Sequence, residues 1–141
     1  MRKQVSFALA LSMVMTSGMA TVANAAADDG KTNVVFWNSW TGGDGDTLEA
    51  LVNKFNEESD TVHVEMTRTT SFGDMLQTSL PTGEAADLVL LSTNEITRYK
   101  SYLRSMDDIW ENTGLKEEDF SPAYLSMCYN DDTLYAIPFQ I

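Results

Sequence analysis

Val34-Val35-Phe36-Trp37-Asn38-Ser39-Trp40-Thr41-Gly42-Gly43-Asp44-Gly45-Asp46 passes from apolar to polar and glycine-rich residues just before a helical pattern begins. Val34 to Trp37 form a short apolar run of β-formers, which predicts a strand. Gly42, Gly43 and Gly45 permit a tight turn or a close backbone approach. From Leu48 the apolar residues recur at Leu51, Val52 and Phe55, the spacing of one face of an amphipathic helix that should end near Glu58 and Ser59. A strand feeding a helix through such a loop aims unpaired backbone N–H groups at whatever lies above the strand's carboxyl end. Trp37, Trp40, Asp44 and Asp46 border the same turn. That set suits a ligand with hydroxyl groups and a flat apolar face better than a nucleotide phosphate.

Upstream of this stretch, Arg2 and Lys3 precede an apolar run from Val5 to about Ala23, and Ala23-Asn24-Ala25 has the small-x-small form of a cleavage site. Residues 1–25 are therefore expected to be a secretory signal, and no cysteine near the cut supports lipid attachment. Residues 26–141 are enough for one domain. The sequence carries a net charge of −12, with all 21 acidic residues beyond the cut and two of the nine basic ones before it. An exported product this acidic is repelled by phosphate backbones and anionic membrane surfaces, which excludes nucleic acid as the expected partner. Cys128 is the single cysteine, so no internal disulfide is expected, and its apolar setting suits buried packing better than nucleophilic chemistry.

Downstream, Val62, Val64 and Met66 alternate with His63, Glu65 and Thr67, predicting a half-buried strand with His63 exposed on its polar face. Ser71-Phe72-Gly73-Asp74 has the Ser-x-x-acid spacing of a helix start, followed by Met75, Leu76 and Leu80, with Pro81 and Gly83 as the stop. Asp87-Leu88-Val89-Leu90-Leu91 is a continuous apolar run of the kind found in strands covered on both faces. Ser92-Thr93-Asn94-Glu95 is a polar turn in which Thr93 or Asn94 would cap a helix bearing Ile96, Tyr99 and Leu103. Met106, Ile109 and Trp110 suggest one further helical turn before Gly114, and Leu115 to Phe120 is an acidic connector. Ser121-Pro122 then starts a helix with Tyr124, Leu125 and Cys128 as its buried stripe. Asn130-Asp131-Asp132 is a turn, and Leu134 to Phe139 a terminal strand. The run from Thr133 to Ile141 ends with no polar cap, as if the chain were cut short. Strands alternating with helices predict an α/β layer with a mostly parallel sheet flanked by helices. In such layers ligands sit beyond the strands' carboxyl ends, which selects the loops Asn38–Asp46 and Ser92–Glu95, with Ser71 and Phe72 as a third.

Other chemistries fit less well. The glycines lack both the G-x-G-x-x-G spacing and a following phosphate-loop lysine. Asp44, Asp46 and Glu49 share part of a calcium-loop pattern but miss its spacing, and capping of the helix explains Asp44 or Asp46 more simply. The two aspartates could serve glycoside hydrolysis as a carboxylate pair, which keeps a secreted α/β glycan hydrolase as the alternative, yet an exposed glycine loop offers no burial to raise either pKa. His63 is the sole histidine, with no companion for a metal or a serine triad. No cofactor is expected. Trp37 and Trp40, three apart on an extended segment, point to opposite faces, and Trp40 beside the polar residues is the one expected to reach the crevice.

These residues resemble the extracellular solute-binding proteins of ABC importers, family 1, the group that binds sugars and related polyols. The resemblance is carried by Val35-Phe36-Trp37-Asn38-Ser39-Trp40-Thr41-Gly42, Phe55-Asn56-Glu57-Glu58, Val62-His63-Val64, Gly83-Glu84-Ala85-Ala86-Asp87-Leu88-Val89 and Leu134-Tyr135-Ala136-Ile137-Pro138-Phe139, in that order. Ala86 departs from it, since the family usually has proline there. The resemblance implies a two-lobed, monomeric, periplasmic protein that clamps a small-molecule ligand (a sugar, a polyol or a glycerol phosphate) and delivers it to a membrane permease without chemistry. Residues 26–141 would be part of its N-terminal lobe, a periplasmic-binding-protein-like fold of type II. It further implies ligand contacts from Trp40, Thr41, Gly43 and Asp44, from Ser71 and Phe72, and from Ser92, Thr93 and Asn94.

Overall fold

The β-formers before the glycine turn build β1, Thr32–Asn38, the middle strand of the three that form the main sheet among the described residues. The structure, a computed structural model, describes residues 30–139, so the leader expected over residues 1–25 lies outside the described residues. β1 runs into α1, Gly42–Glu58, and the chain returns as β2, Val62–Arg68, parallel to β1 over seven aligned pairs from Thr32↔Val62 to Asn38↔Arg68. After α2, Phe72–Ser79, the chain re-enters the sheet as β3, Leu88–Val89, parallel to the other side of β1. The sheet order is β2-β1-β3 with helices around it, the expected α/β layer.

Alternation along β1 sorts its side chains. Phe36 and Asn38 are buried on one face, whereas Trp37, on the other, packs on a cluster of Phe72, Leu76 and Tyr99. Along the outer edge of β2, the Asn56 amide on α1 accepts from the Val64 N–H at 2.7 Å and donates to the Val64 carbonyl at 2.9 Å. A side-chain amide thereby replaces a neighbouring strand at one residue and keeps that edge from offering free backbone groups. His63, expected on an exposed face, is half-buried in this strand. α1 itself departs from its pattern: Leu48 is buried, but Leu51 is 54% and Phe55 46% exposed. The helix lies over β2, one edge strand of the sheet described, so its apolar stripe is wider than the sheet beneath it.

The run Leu88–Leu91 is likewise not covered on both faces. Only Leu88 and Val89 join the sheet, at its edge, and Leu88 is 48% exposed. The Asp87 carboxylate accepts the Val35 N–H at 2.9 Å just ahead of the first paired residue, and the Leu90 N–H reaches the Trp37 carbonyl at 3.1 Å just after the last.

Beyond β3 the chain forms α3, Thr93–Tyr99, a 3₁₀ turn Lys100–Tyr102, α4, Ile109–Asn112, a second 3₁₀ turn Glu117–Asp119 and α5, Pro122–Ser126, with Pro122 at the first turn as expected. The expected terminal strand is shorter and placed elsewhere. β4, Tyr129–Asn130, and β5, Thr133–Leu134, pair antiparallel as a small hairpin separate from the main sheet. Its turn holds Asp131 at φ 54°, a left-handed conformation that aspartate tolerates better than most residues. Ile96, Leu125, Cys128 and Leu134 form the core on this side, while Tyr124, expected in the same stripe, is 40% exposed. The Tyr135 N–H still donates to the Cys128 carbonyl at 3.0 Å, but residues 135–139 join no strand among the described residues and line a cleft with the carboxyl ends of β1 and β3.

Candidate functional site

The first loop is built on Asn38, the last residue of β1 and fully buried. Its Oδ1 accepts the Trp40 N–H at 3.0 Å, and its backbone carbonyl accepts the Thr69 N–H at 3.0 Å, fastening the loops after β1 and β2 together. Asn38 Nδ2 is buried without a hydrogen-bond partner among the described residues. On the other side of the Trp40 residue, Arg68, the last residue of β2, donates from Nε to the Trp40 carbonyl at 3.2 Å. Its Nη1 reaches Glu49 Oε2 at 2.6 Å and its Nη2 Asp46 Oδ1 at 3.0 Å. Hydrogen bonds to Glu49 and then Asp46 hold the Arg68 pKa above its ordinary value, so the guanidinium is permanently charged.

These pairings settle how the carboxylates are used. Asp46 was expected as a cap or as one member of a catalytic pair; it is an ion-pair partner on the second turn of α1. Asp44 does not cap either: Thr41 occupies the cap position, and no side chain there closes the helix start. At Gly45 a β-carbon would lie 2.5 Å from both Arg68 Nη2 and the Trp40 carbonyl, so the first turn of α1 approaches the arginine only because this residue has no side chain.

The third loop is closed differently. Ser92, rather than Thr93 or Asn94, precedes the first turn of α3, and the Glu95 carboxylate accepts both the Ser92 N–H at 2.7 Å and the Ser92 hydroxyl at 2.8 Å. β1 and β3 are neighbours, so their carboxyl ends open into one cleft of about 780 Å³. Trp40, Ser92 and Thr93 all line it. The Trp40 ring is half-buried and meets Phe139 at 5.8 Å between centroids, tilted by 42°. The floor is aliphatic, with Leu88, Leu90, Leu103 and Met106, and Asp87 and Arg104 add charge to the lining.

The other expected contacts do not line this cleft. Thr41, Gly43 and Asp44 are exposed at the start of α1, and Asn94 is exposed on α3. Ser71 is exposed before α2 without capping it; its N–H donates to Thr69 Oγ1 at 3.1 Å. Phe72 is turned inward to 3% exposure against Leu76 and Tyr99, so its ring is used in packing. The 3.6-residue period of a helix explains this: Phe72 and Leu76 are four apart on α2 and share its buried face. Conversely, Tyr135 and Phe139 line the cleft although their run predicts a strand, and Arg68 carries no local signal at all.

Cys128 also borders the cleft, at 5% exposure, with its thiol 3.6 Å from the Tyr124 carbonyl. Burial pushes its pKa up, so the thiol stays protonated and serves as packing. Among the described residues no cluster of His, Cys, Asp and Glu is arranged to hold a metal ion, and no helix is long and apolar enough to cross a membrane.

The parallel sheet flanked by helices, with its cleft at the strand ends, is the architecture of part of a periplasmic-binding-protein lobe. No family model and no curated protein matches the sequence. Among solved structures, the sugar-binding protein MalE from Xanthomonas citri shares the fold with a TM-score of 0.67 at 22% identity, over 76% of this chain and 28% of that one. A family 1 extracellular solute-binding protein from Alicyclobacillus acidocaldarius gives a TM-score of 0.66 at 20% identity, over 77% of this chain and 28% of its own. The galacto-N-biose-/lacto-N-biose I-binding protein of an ABC transporter from Bifidobacterium longum, in complex with lacto-N-biose, gives 0.64 at 21% identity, over 80% of this chain and 29% of its own. The chain thus has the fold of part of the family 1 extracellular solute-binding proteins and spans less than a third of the length of those structures.

Proposed function

We propose that this chain is part of the extracytoplasmic solute-binding component of an ABC importer. It captures a sugar or related polyol, with glycerol phosphate as a further candidate, and hands it to a membrane permease. The observation that carries this reading is the meeting of Trp40 with the Ser92-Thr93 turn in one cleft at the ends of adjacent parallel strands. An indole face stacks on the C–H face of a pyranose, and the hydroxyls and backbone groups of the turn bond its oxygens. Thr41, Gly43, Asp44, Ser71 and Asn94, exposed around the same loops, belong to the proposed surface that closes over the ligand. The ring of Phe72, next to Ser71 in the chain, is buried in the cluster with Leu76 and Tyr99. The proposal includes export through the leader at residues 1–25, residence in the periplasm and action as a monomer.

A binding role without catalysis is supported by the fate of the carboxylates in the first loop. Asp46 and Glu49 are both engaged by Arg68 on an exposed face of α1, rather than set as a pair in a buried site of the kind glycoside hydrolysis uses. The test is a titration of the full-length protein with disaccharides, trisaccharides, polyols and glycerol phosphate, followed by tryptophan emission and by product analysis. Saturable emission changes without turnover are expected, with most of the change lost in Trp40→Ala. Steady conversion of a glycan, reduced by Asp46→Asn, would instead establish the hydrolase.

A further inference from the structure

We propose that Arg68 is a positioning residue for the Trp40 indole, fixing the peptide units on both sides of that ring together with Asn38. The Trp40 N–H is held by Asn38 Oδ1 at 3.0 Å and the Trp40 carbonyl by Arg68 Nε at 3.2 Å. One anchor is the last residue of β1 and the other the last residue of β2, so the loop is suspended between two adjacent strand ends whose register is set by the parallel ladder. The remaining guanidinium nitrogens are committed to Glu49 and Asp46 on α1. A guanidinium is flat and its donors are rigidly spaced, so turning one bond misaligns the other two. Gly45 completes the device: it lets the first turn of α1 sit against both the guanidinium and the Trp40 carbonyl, where a β-carbon would come within 2.5 Å of each. With both flanking peptides held, the ring direction depends only on its own side-chain rotations, and Phe139 restricts these from one side.

A purely structural surface ion pair makes a different prediction. Its partners Asp46 and Glu49 are 72% and 52% exposed, and pairs of that kind contribute little to stability. If Arg68 instead aims the indole, replacing it should disturb Trp40 far more than it disturbs the fold. Only the affinity arm of the test below rests on the sugar-binding reading.

The full-length protein carrying 5-fluorotryptophan gives one fluorine resonance per indole, and the Trp40 signal is assigned by its loss in Trp40→Phe. In Arg68→Lys, which keeps the charge but cannot present three coplanar donors, the Trp40 resonance should move or broaden by more than a linewidth. The Trp37 and Trp110 signals and the thermal midpoint should stay in place. Asp46→Asn with Glu49→Gln, which loosens the fork from its other end, should shift the same resonance in the same direction. A saccharide that binds the wild type should bind Arg68→Lys about tenfold more weakly, equivalent to about 1.4 kcal/mol. An unmoved Trp40 resonance in a folded Arg68→Lys protein overturns the proposal, and so does a common shift of all the indoles. If the resonance moves but no saccharide binds even the wild type, the clamp stands and the ligand assignment falls. If saccharide affinity is the same in both proteins and the resonance is unmoved, the clamp falls and the ligand assignment stands.

Discussion

The two sides of the cleft are held together by different forces. On the β1–β2 side a seven-pair parallel ladder and side-chain bonds such as Asn56 to Val64 order the backbone, while α1 leaves Leu51 and Phe55 in solvent. On the other side the ladders are two pairs long, and order comes from a packed core of Ile96, Leu125, Cys128 and Leu134. Directional bonds therefore set the first loop, and burial sets the wall that faces it. Atoms placed by hydrogen bonds are positioned to tenths of an ångström, whereas an apolar wall needs only the right volume. This suits a division in which one side presents oriented polar groups and the other encloses them.

Substitutions divide accordingly. Leu134, on the hairpin strand β5, is fully buried in the cluster with Ile96, Leu125 and Cys128, so Leu134→Ala should cost about 2–5 kcal/mol by chemical denaturation, the largest effect expected. A loss below about 1 kcal/mol would mean that the wall is loosely packed and the contrast is wrong. On the ladder side, Gly45→Ala forces a methyl group against Arg68 and the Trp40 carbonyl and should cost about 1–3 kcal/mol, with a change in the Trp40 environment that Leu134→Ala does not share at equal destabilisation.

The third test uses pH. Asp107 joins the wall by accepting the Leu134 N–H at 2.9 Å, and that bond, then one from Ser105, holds its carboxyl below the ordinary value. A folded pKa depressed below the unfolded one gives stability that is present above the unfolded value and is lost as pH falls through the folded one. Asp107→Asn should thus make the melting temperature less sensitive to acid in that interval. An unaltered acid profile would remove Asp107 from the account. The smallest effect is expected at α1, where Leu51→Ala should change stability by no more than about 0.5 kcal/mol while that face remains exposed. A substantially larger loss in the full-length protein would show that the face is covered there.

Regions governed by local rules were legible in the sequence. Period-two alternation located β2, the apolar-to-glycine transition located β1 and the start of α1, and Ser-Pro located α5. The strand-end rule selected the loops that carry Trp40, Ser92 and Thr93, and these three residues line one cleft. What stayed hidden depends on neighbours. An apolar run such as Leu88–Leu91 looks the same at the edge of a sheet as in its middle, and Thr133–Phe139 has strand-like composition although only Thr133 and Leu134 pair. Arg68 is joined to residues about twenty positions away on α1, and no periodicity announces such a contact. The burial of Phe72 was likewise hidden: its position near a strand end points toward a ligand, whereas its place on α2 with Leu76 turns the ring into the core.

The carboxylate of Asp87 bears on how the third strand finds its place. Leu88, Val89, Leu90 and Leu91 are nearly interchangeable in greasiness, so sliding this segment along β1 by two positions would cost little in burial. Such a slip would carry the acid away from the Val35 amide and bring Ala85 or Val89 opposite it, neither of which has an acceptor to offer from its side chain. A single acceptor side chain thereby acts as an index mark, selecting one alignment among several that hydrophobicity alone would accept, and with it the height at which the Ser92 turn stands relative to the indole.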